Sequence, residues 1–145
     1  MKVTSLFISL LLLLSLSAWA AEDDFSTEFG YLSSYKEAHA KALQSNKPLM
    51  ILFVTTSCPW CQKLKHQVLK KEEVNALIQN AFIPVMIDKE TEAFPKALMP
   101  FAVPTLTFVE PKEEKKVFQI IGYKPLEEAL SLLKQARAKA KEESL

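Results

Sequence analysis

The sequence predicts an α/β domain in which a mixed sheet of four to five strands is flanked by helices. Three observations carry that expectation. Apolar, β-branched runs alternate with amphipathic stretches of helical spacing along most of the chain. The hydrophobic share is 49% and the charged share 24%, which suits one globular domain with a buried core. The two cysteines form a Cys-x-x-Cys directly after the most apolar of the runs, Leu49 to Thr55.

The first twenty residues are set apart from the fold. Lys2 opens them, Val3 to Leu16 is nearly unbroken apolar sequence, and Ala18-Trp19-Ala20 supplies a small-x-small cleavage pattern. Residues 1–20 therefore read as a secretory signal peptide, with cleavage expected after Ala20. The acidic Glu22-Asp23-Asp24 beyond the break favours cleavage over retention as a membrane anchor. The expected location is periplasmic or secreted, an oxidising setting in which disulfides persist. Without Lys2 the basic and acidic side chains balance, so a nucleic-acid partner is not expected. With only two glycines, no Gly-rich phosphate loop is available.

Residues 21–32 are expected to be an extended N-terminal segment, and residues 33–141 the folded domain. Ser33-Ser34 offers an N-cap to a helix from Tyr35 to Gln44, with Tyr35, Ala38, Ala42 and Leu43 inward. Ser45-Asn46-Lys47-Pro48 breaks it, and the buried strand follows. After the cysteines, a helix through Leu69 places Cys61, Leu64 and Val68 on one face. Lys63, Lys65, Lys70 and Lys71 are expected on a solvated face, the alternative being that they add positive potential near the site. Glu72 to Ile78 continues as a short helix with acids in its first turn. Phe82 to Asp88 reads as a second strand that Pro84 pushes toward a sheet edge. Thr91 to Met99 is polar and weakly helical. Leu106 to Val109 and Lys116 to Ile121 form a hairpin across the charged turn Glu110 to Lys115. Gly122-Tyr123-Lys124-Pro125 precedes a last helix from Leu126, with Ala129, Leu130, Leu133 and Ala136 on its stripe.

Cys58-Pro59-Trp60-Cys61 carries the chemistry. Pro59 falls at the first helical position, where its missing N–H costs nothing. Cys58 is then the N-cap and Cys61 lies one turn in. Unpaired N–H groups and the positive end of the helix dipole favour a thiolate there, lowering a thiol pKa from about 8.5 toward roughly 3.5–7.5. The thiolate is the form that attacks disulfides. Cys58 is assigned as nucleophile and Cys61 as resolving thiol. A zinc site needs more ligands than two cysteines provide, and His39 and His66 stand at no recognised spacing, so no metal is expected. Haem attachment needs His where the chain has Gln62. A purely structural disulfide over so short a loop would contribute only about 2 kcal/mol of chain entropy.

The strand leading into Cys58-Pro59-Trp60-Cys61, the later Val103-Pro104-Thr105 and Gly122 before the last helix resemble the thioredoxin superfamily over residues 33–136. Small exported thioredoxin-like proteins of the SoxW or thioredoxin-related type share Lys47-Pro48 and the Gly122-to-Pro125 pattern; the C-terminal domain of DsbD is similar too. The resemblance implies a thioredoxin fold and a cis Pro104 beside the cysteines. Val103 would offer backbone groups to an extended substrate, and Trp60 and Gly122 would rim its groove. The chain between Cys61 and Pro104 is compact, without the helical insertion of Dsb-type oxidants, so a protein disulfide reductase is expected, with no cofactor beyond the redox-active Cys58–Cys61 disulfide. Its partners would be protein thiol or disulfide clients and a membrane electron donor such as a DsbD-like transporter. No dimerising arm precedes Ser33, so a monomer is expected. Other readings are a thiol oxidant or isomerase, favoured by Pro59 and Val103, and a redox-inert binding or chaperone module of the same fold. One departure stands out: thioredoxin places a buried Asp six residues before the nucleophile, where this chain has Leu52.

Overall fold

The computed structural model describes residues 25–143. The signal peptide expected at residues 1–20 lies outside the described residues. Along the chain run α1 (Phe25–Phe29), α2 (Tyr35–Ser45), β1 (Leu49–Val54) and α3 (Pro59–Leu64). A π-helical turn (Lys65–Leu69), α4 (Glu72–Ala81) and β2 (Ile83–Asp88) follow. A 3-10 turn (Lys96–Leu98), the hairpin β3 (Thr105–Glu110) and β4 (Lys115–Ile121), and α5 (Leu126–Glu143) complete it.

The sheet is four-stranded, in the order β2-β1-β3-β4. β1 pairs parallel to β2, with Leu49 opposite Ile83, and antiparallel to β3, with Leu52 opposite Leu106. All six residues of β1 are buried because both faces of the sheet are covered. Met50, Leu52 and Val54 point to the side carrying Cys61, Leu64, Val68, Val74, Ile78 and Leu133. Leu49, Ile51 and Phe53 point to the other, against Tyr35, Ala38, Ala42 and Leu98. Pro84 sits in β2, an edge strand of the sheet, consistent with its missing donor. In the hairpin turn, the Glu110 carboxylate accepts from Lys112 N (3.0 Å) and Glu113 N (2.8 Å), fixing the return of the chain.

Three local expectations are corrected. Residues 21–32 were expected to be extended, but Phe25–Phe29 is helical and Phe25 and Tyr31 are buried in the core. Leu32 also bridges to Val85 on the outer side of β2, donating to Pro84 O (3.0 Å) and accepting from Met86 N (2.9 Å). A five-residue helix is too short to show periodicity, so packing rather than pattern defines it. Lys65 is not solvated but 4% exposed. It stands four residues after Cys61, on the flank of the same apolar stripe, and its ammonium lies 5.5 Å from the Phe25 ring. Leu43, expected inward, is largely exposed, because α2 meets the sheet through Tyr35, Ala38 and Ala42. The weak helical tendency expected over 91–99 takes the form of the 3-10 turn, enclosed between Pro95 and Pro100.

Candidate functional site

The site is built where β1 hands over to α3. Ser57 ends the crossing loop, Cys58 takes extended backbone as N-cap, and Pro59 opens the helix. The Cys58 sulfur accepts from Cys61 N at 3.1 Å, an orphan donor of the first turn. Cys58 and Cys61 are joined in a disulfide, with Cα atoms 5.2 Å apart. The two sulfurs differ in environment. Cys61 is 2% exposed and packs in the cluster with Leu52 and Leu64, whereas Cys58 is half-buried at its margin. Leu52 is wholly buried in that same cluster, so hydrocarbon occupies the position where thioredoxin carries its Asp.

The approach to Cys58 is pinned from the side. Thr56 Oγ1 donates to Asp88 Oδ2 (3.0 Å), and Lys89 N donates to Val54 O (3.1 Å). The loop after β2 thereby holds the loop after β1. Asp88 N also donates to Glu92 Oε1 (3.3 Å), while Glu92 Oε2 is buried without a partner among the described residues. Burial raises the Glu92 pKa; the Asp88 N–H opposes the rise, and the Asp88 carboxylate adds to it. A carboxyl with a raised folded pKa makes the native state bind more protons than the unfolded chain between the two values. Stability therefore falls as pH climbs from the unfolded pKa through the folded one. Glu92→Gln is expected to raise the melting temperature at pH 7 and to lose that advantage below the unfolded Glu pKa of about 4.3. Thermal melts across that range check it; an equal effect at both ends would contradict it.

A groove of about 350 Å³ is lined by Trp60, Val103, Pro104, Gly122 and Tyr123. The Val103–Pro104 peptide is cis. Pro104 O accepts from Gly122 N at 2.8 Å, and Gly122 holds φ +77, a conformation that favours glycine. The structure thus brings Trp60, Val103, Pro104 and Gly122 to one groove, although they come from three separate parts of the chain. Val103 also packs on the cluster that holds both cysteines. Pro59 does not line the groove; it starts the helix.

Tyr123 was not singled out from the sequence. Its ring lies 5.8 Å from that of Trp60, and its hydroxyl donates to Gln67 Oε1 at 3.0 Å, tying the β4–α5 loop to the reactive helical run. The signal available was an aromatic residue directly after the loop glycine. His66 and His39 take no part: His66 is exposed on the π-helical turn, and His39 stacks on Tyr35 with Nε2 2.7 Å from Pro111 O. Among the described residues no group of three or more His, Cys, Asp or Glu side chains could hold a metal ion.

A four-stranded mixed sheet, a disulfide at the N-terminus of the helix after its central strand and a cis-proline at the start of β3 define a thioredoxin-type disulfide oxidoreductase fold. A family model described as a thioredoxin-like domain matches residues 35–137, and the chain belongs to that family. Anterior gradient protein 3 of Mus musculus is 37% identical over 83 residues, covering 56% of this chain and 49% of that protein. Spermatogenesis-associated protein 20 of Rattus norvegicus is 33% identical over 55 residues, covering 38% of this chain and 7% of that protein. The chain thus spans half or less of the length of these relatives. A thioredoxin from Thermus thermophilus superposes with a TM-score of 0.66 at 27% identity, covering 76% of this chain and 88% of that one. The oxidised C-terminal domain of DsbD from Neisseria meningitidis gives 0.58 at 20% identity, covering 73% and 98%, a likeness of fold alone.

Proposed function

We propose that this protein is an exported thiol-disulfide oxidoreductase that reduces protein disulfides. The observation that carries the reading is the unequal placement of the two sulfurs: one half-buried at the edge of the core cluster, just ahead of the groove-lining Trp60, the other sealed within that cluster. In the reduced protein the Cys58 thiolate attacks one sulfur of a client disulfide. That bond breaks, the second client sulfur leaves as a thiolate, and a mixed disulfide forms on Cys58. The Cys61 thiolate then attacks the Cys58 sulfur and expels the other client thiolate. The two electrons of the dithiol have passed to the client, and the Cys58–Cys61 disulfide is restored. A membrane electron donor such as a DsbD-like transporter would reduce it again. The folded unit takes in Phe25 and Tyr31 ahead of residues 33–141 and acts as a monomer.

The compact crossing between Cys61 and Pro104 supports the reducing direction. It holds the π-helical turn, α4, β2 and a single 3-10 turn, with no added helical lobe of the sort that Dsb oxidants carry. A redox titration of the Cys58–Cys61 pair tests the direction. A potential well below about −200 mV is expected, toward the roughly −270 mV of thioredoxin; a value near about −120 mV, that of DsbA, would overturn it.

A further inference from the structure

Lys63 lies one turn into the reactive helix, and its ammonium is held between two aromatic walls of the groove. It sits 4.8 Å from the Trp60 ring centroid and 4.6 Å from that of Tyr123. Each face-on contact stabilises the cation where it stands. Tyr123 cannot swing away cheaply, because its hydroxyl is bonded to Gln67. Lys63 makes no ion pair among the described residues, whereas the nearby Lys124 is paired with Glu128 (3.6 Å). The remaining groove residues, Val103, Pro104 and Gly122, carry no charge. Among the described residues the rim therefore presents one fixed positive charge without a carboxylate partner beside an otherwise apolar slot.

We propose that Lys63 is a specificity-determining residue. It selects disulfide clients that carry a carboxylate within one or two residues of the reacting cysteine, while an apolar neighbour of that cysteine occupies the slot. This rests on the reading of the chain as a thiol-disulfide oxidoreductase and adds to it the class of substrate. The aromatic rings matter because a free lysine side chain must be ordered before it can hold a partner, whereas this one is ordered in advance. Charge at an interface rim governs encounter and partner choice more than final affinity, and it weakens as salt screens it.

The test uses peptide disulfides that differ only in the residue beside the cysteine: Asp, Asn or Lys. For the wild type at low ionic strength, kcat/KM is expected to favour the Asp peptide over the Lys peptide by about fivefold, shrinking as salt is added. In Lys63→Met that ratio should fall to about one, and in Lys63→Arg it should survive. A wild-type ratio near one, or an unchanged ratio in Lys63→Met, overturns the assignment. A second measurement separates this from the redox reading. Binding of the same peptides to the Cys58→Ala/Cys61→Ala variant, followed through the Trp60 indole N–H by NMR, should keep the preference for Asp. Preferential binding there with no turnover by the wild type would sink the exchange reading and leave Lys63 as the selector. Turnover of all three peptides at equal rates, with equal binding, would sink the selector and leave the exchange reading.

Discussion

Serine at position 58 is expected to reduce disulfide-reductase activity to the uncatalysed background, and serine at position 61 to stop the same reaction half-way. The geometry makes the two losses different in kind. Cys61 is sealed in an apolar cluster, so in Cys58→Ser no thiolate can reach a client sulfur. Cys61→Ser keeps the attacking sulfur half-buried at the helix N-terminus but removes the group that clears the mixed disulfide. It should accumulate a one-to-one covalent adduct with client, seen by mass spectrometry and dissolved by added dithiol. A chromogenic peptide disulfide or insulin turbidity reads the loss of turnover. Cys58→Ser that still turns over, or adducts that gather on Cys61 instead, would reverse the roles of the two sulfurs. Reduced wild type should show the same asymmetry: alkylation in mildly acidic buffer should mark Cys58 and spare Cys61, because a thiolate there is both accessible and favoured.

What could be read in the chain followed from strong local signals. The continuous run of β1 announces a strand covered on both faces, and Pro59 at the first helical position sets Cys58 at the cap. These two features are adjacent in sequence, so the core of the site was legible from residues 49–61 alone. The groove was not legible in that way. Trp60, Val103, Pro104 and Gly122 meet only through the pairing of β1 with β3 and β3 with β4, and family resemblance brought them together. The contacts of Tyr123 with Gln67 and Lys63 join residues far apart in sequence through polar or cationic groups, which hydrophobic periodicity does not register. Lys65 misled for a related reason. Its type says surface, but its offset of four from Cys61 says interior, and the long aliphatic stem lets the position decide. Leu52 runs the other way: its burial was plain from the strand pattern, and the structure surrounds it with hydrocarbon and Cys61.

Phe25→Ala is expected to cost about 3–5 kcal/mol, the range for removing a fully buried phenylalanine. That is a large share of the roughly 5–15 kcal/mol that holds a domain folded. Phe25 is 1% exposed. Its ring stacks on Phe29 at 5.2 Å and meets Tyr31 at 5.0 Å. The loss therefore removes more than one side chain's area: it leaves a cavity beneath Tyr31 and takes away the aromatic face under the Lys65 ammonium, 5.5 Å from the ring. Lys65 begins the π-helical turn that directly continues the reactive helix, and Phe25 and Cys61 belong to one buried cluster, so the cavity opens within the cluster that seals Cys61. Chemical denaturation should show a lower midpoint with little change in slope, and the melting temperature should fall by roughly 10–20 °C. Phe29→Ala, at a half-buried position, should cost distinctly less. If residues 25–32 were only a tether between a leader and the domain, Phe25→Ala would change stability by no more than about 0.5 kcal/mol, as for an ordinary surface site. A loss in the expected range would instead make this segment part of the cooperative unit that keeps Cys61 dry, and so part of what makes the two sulfurs unequal.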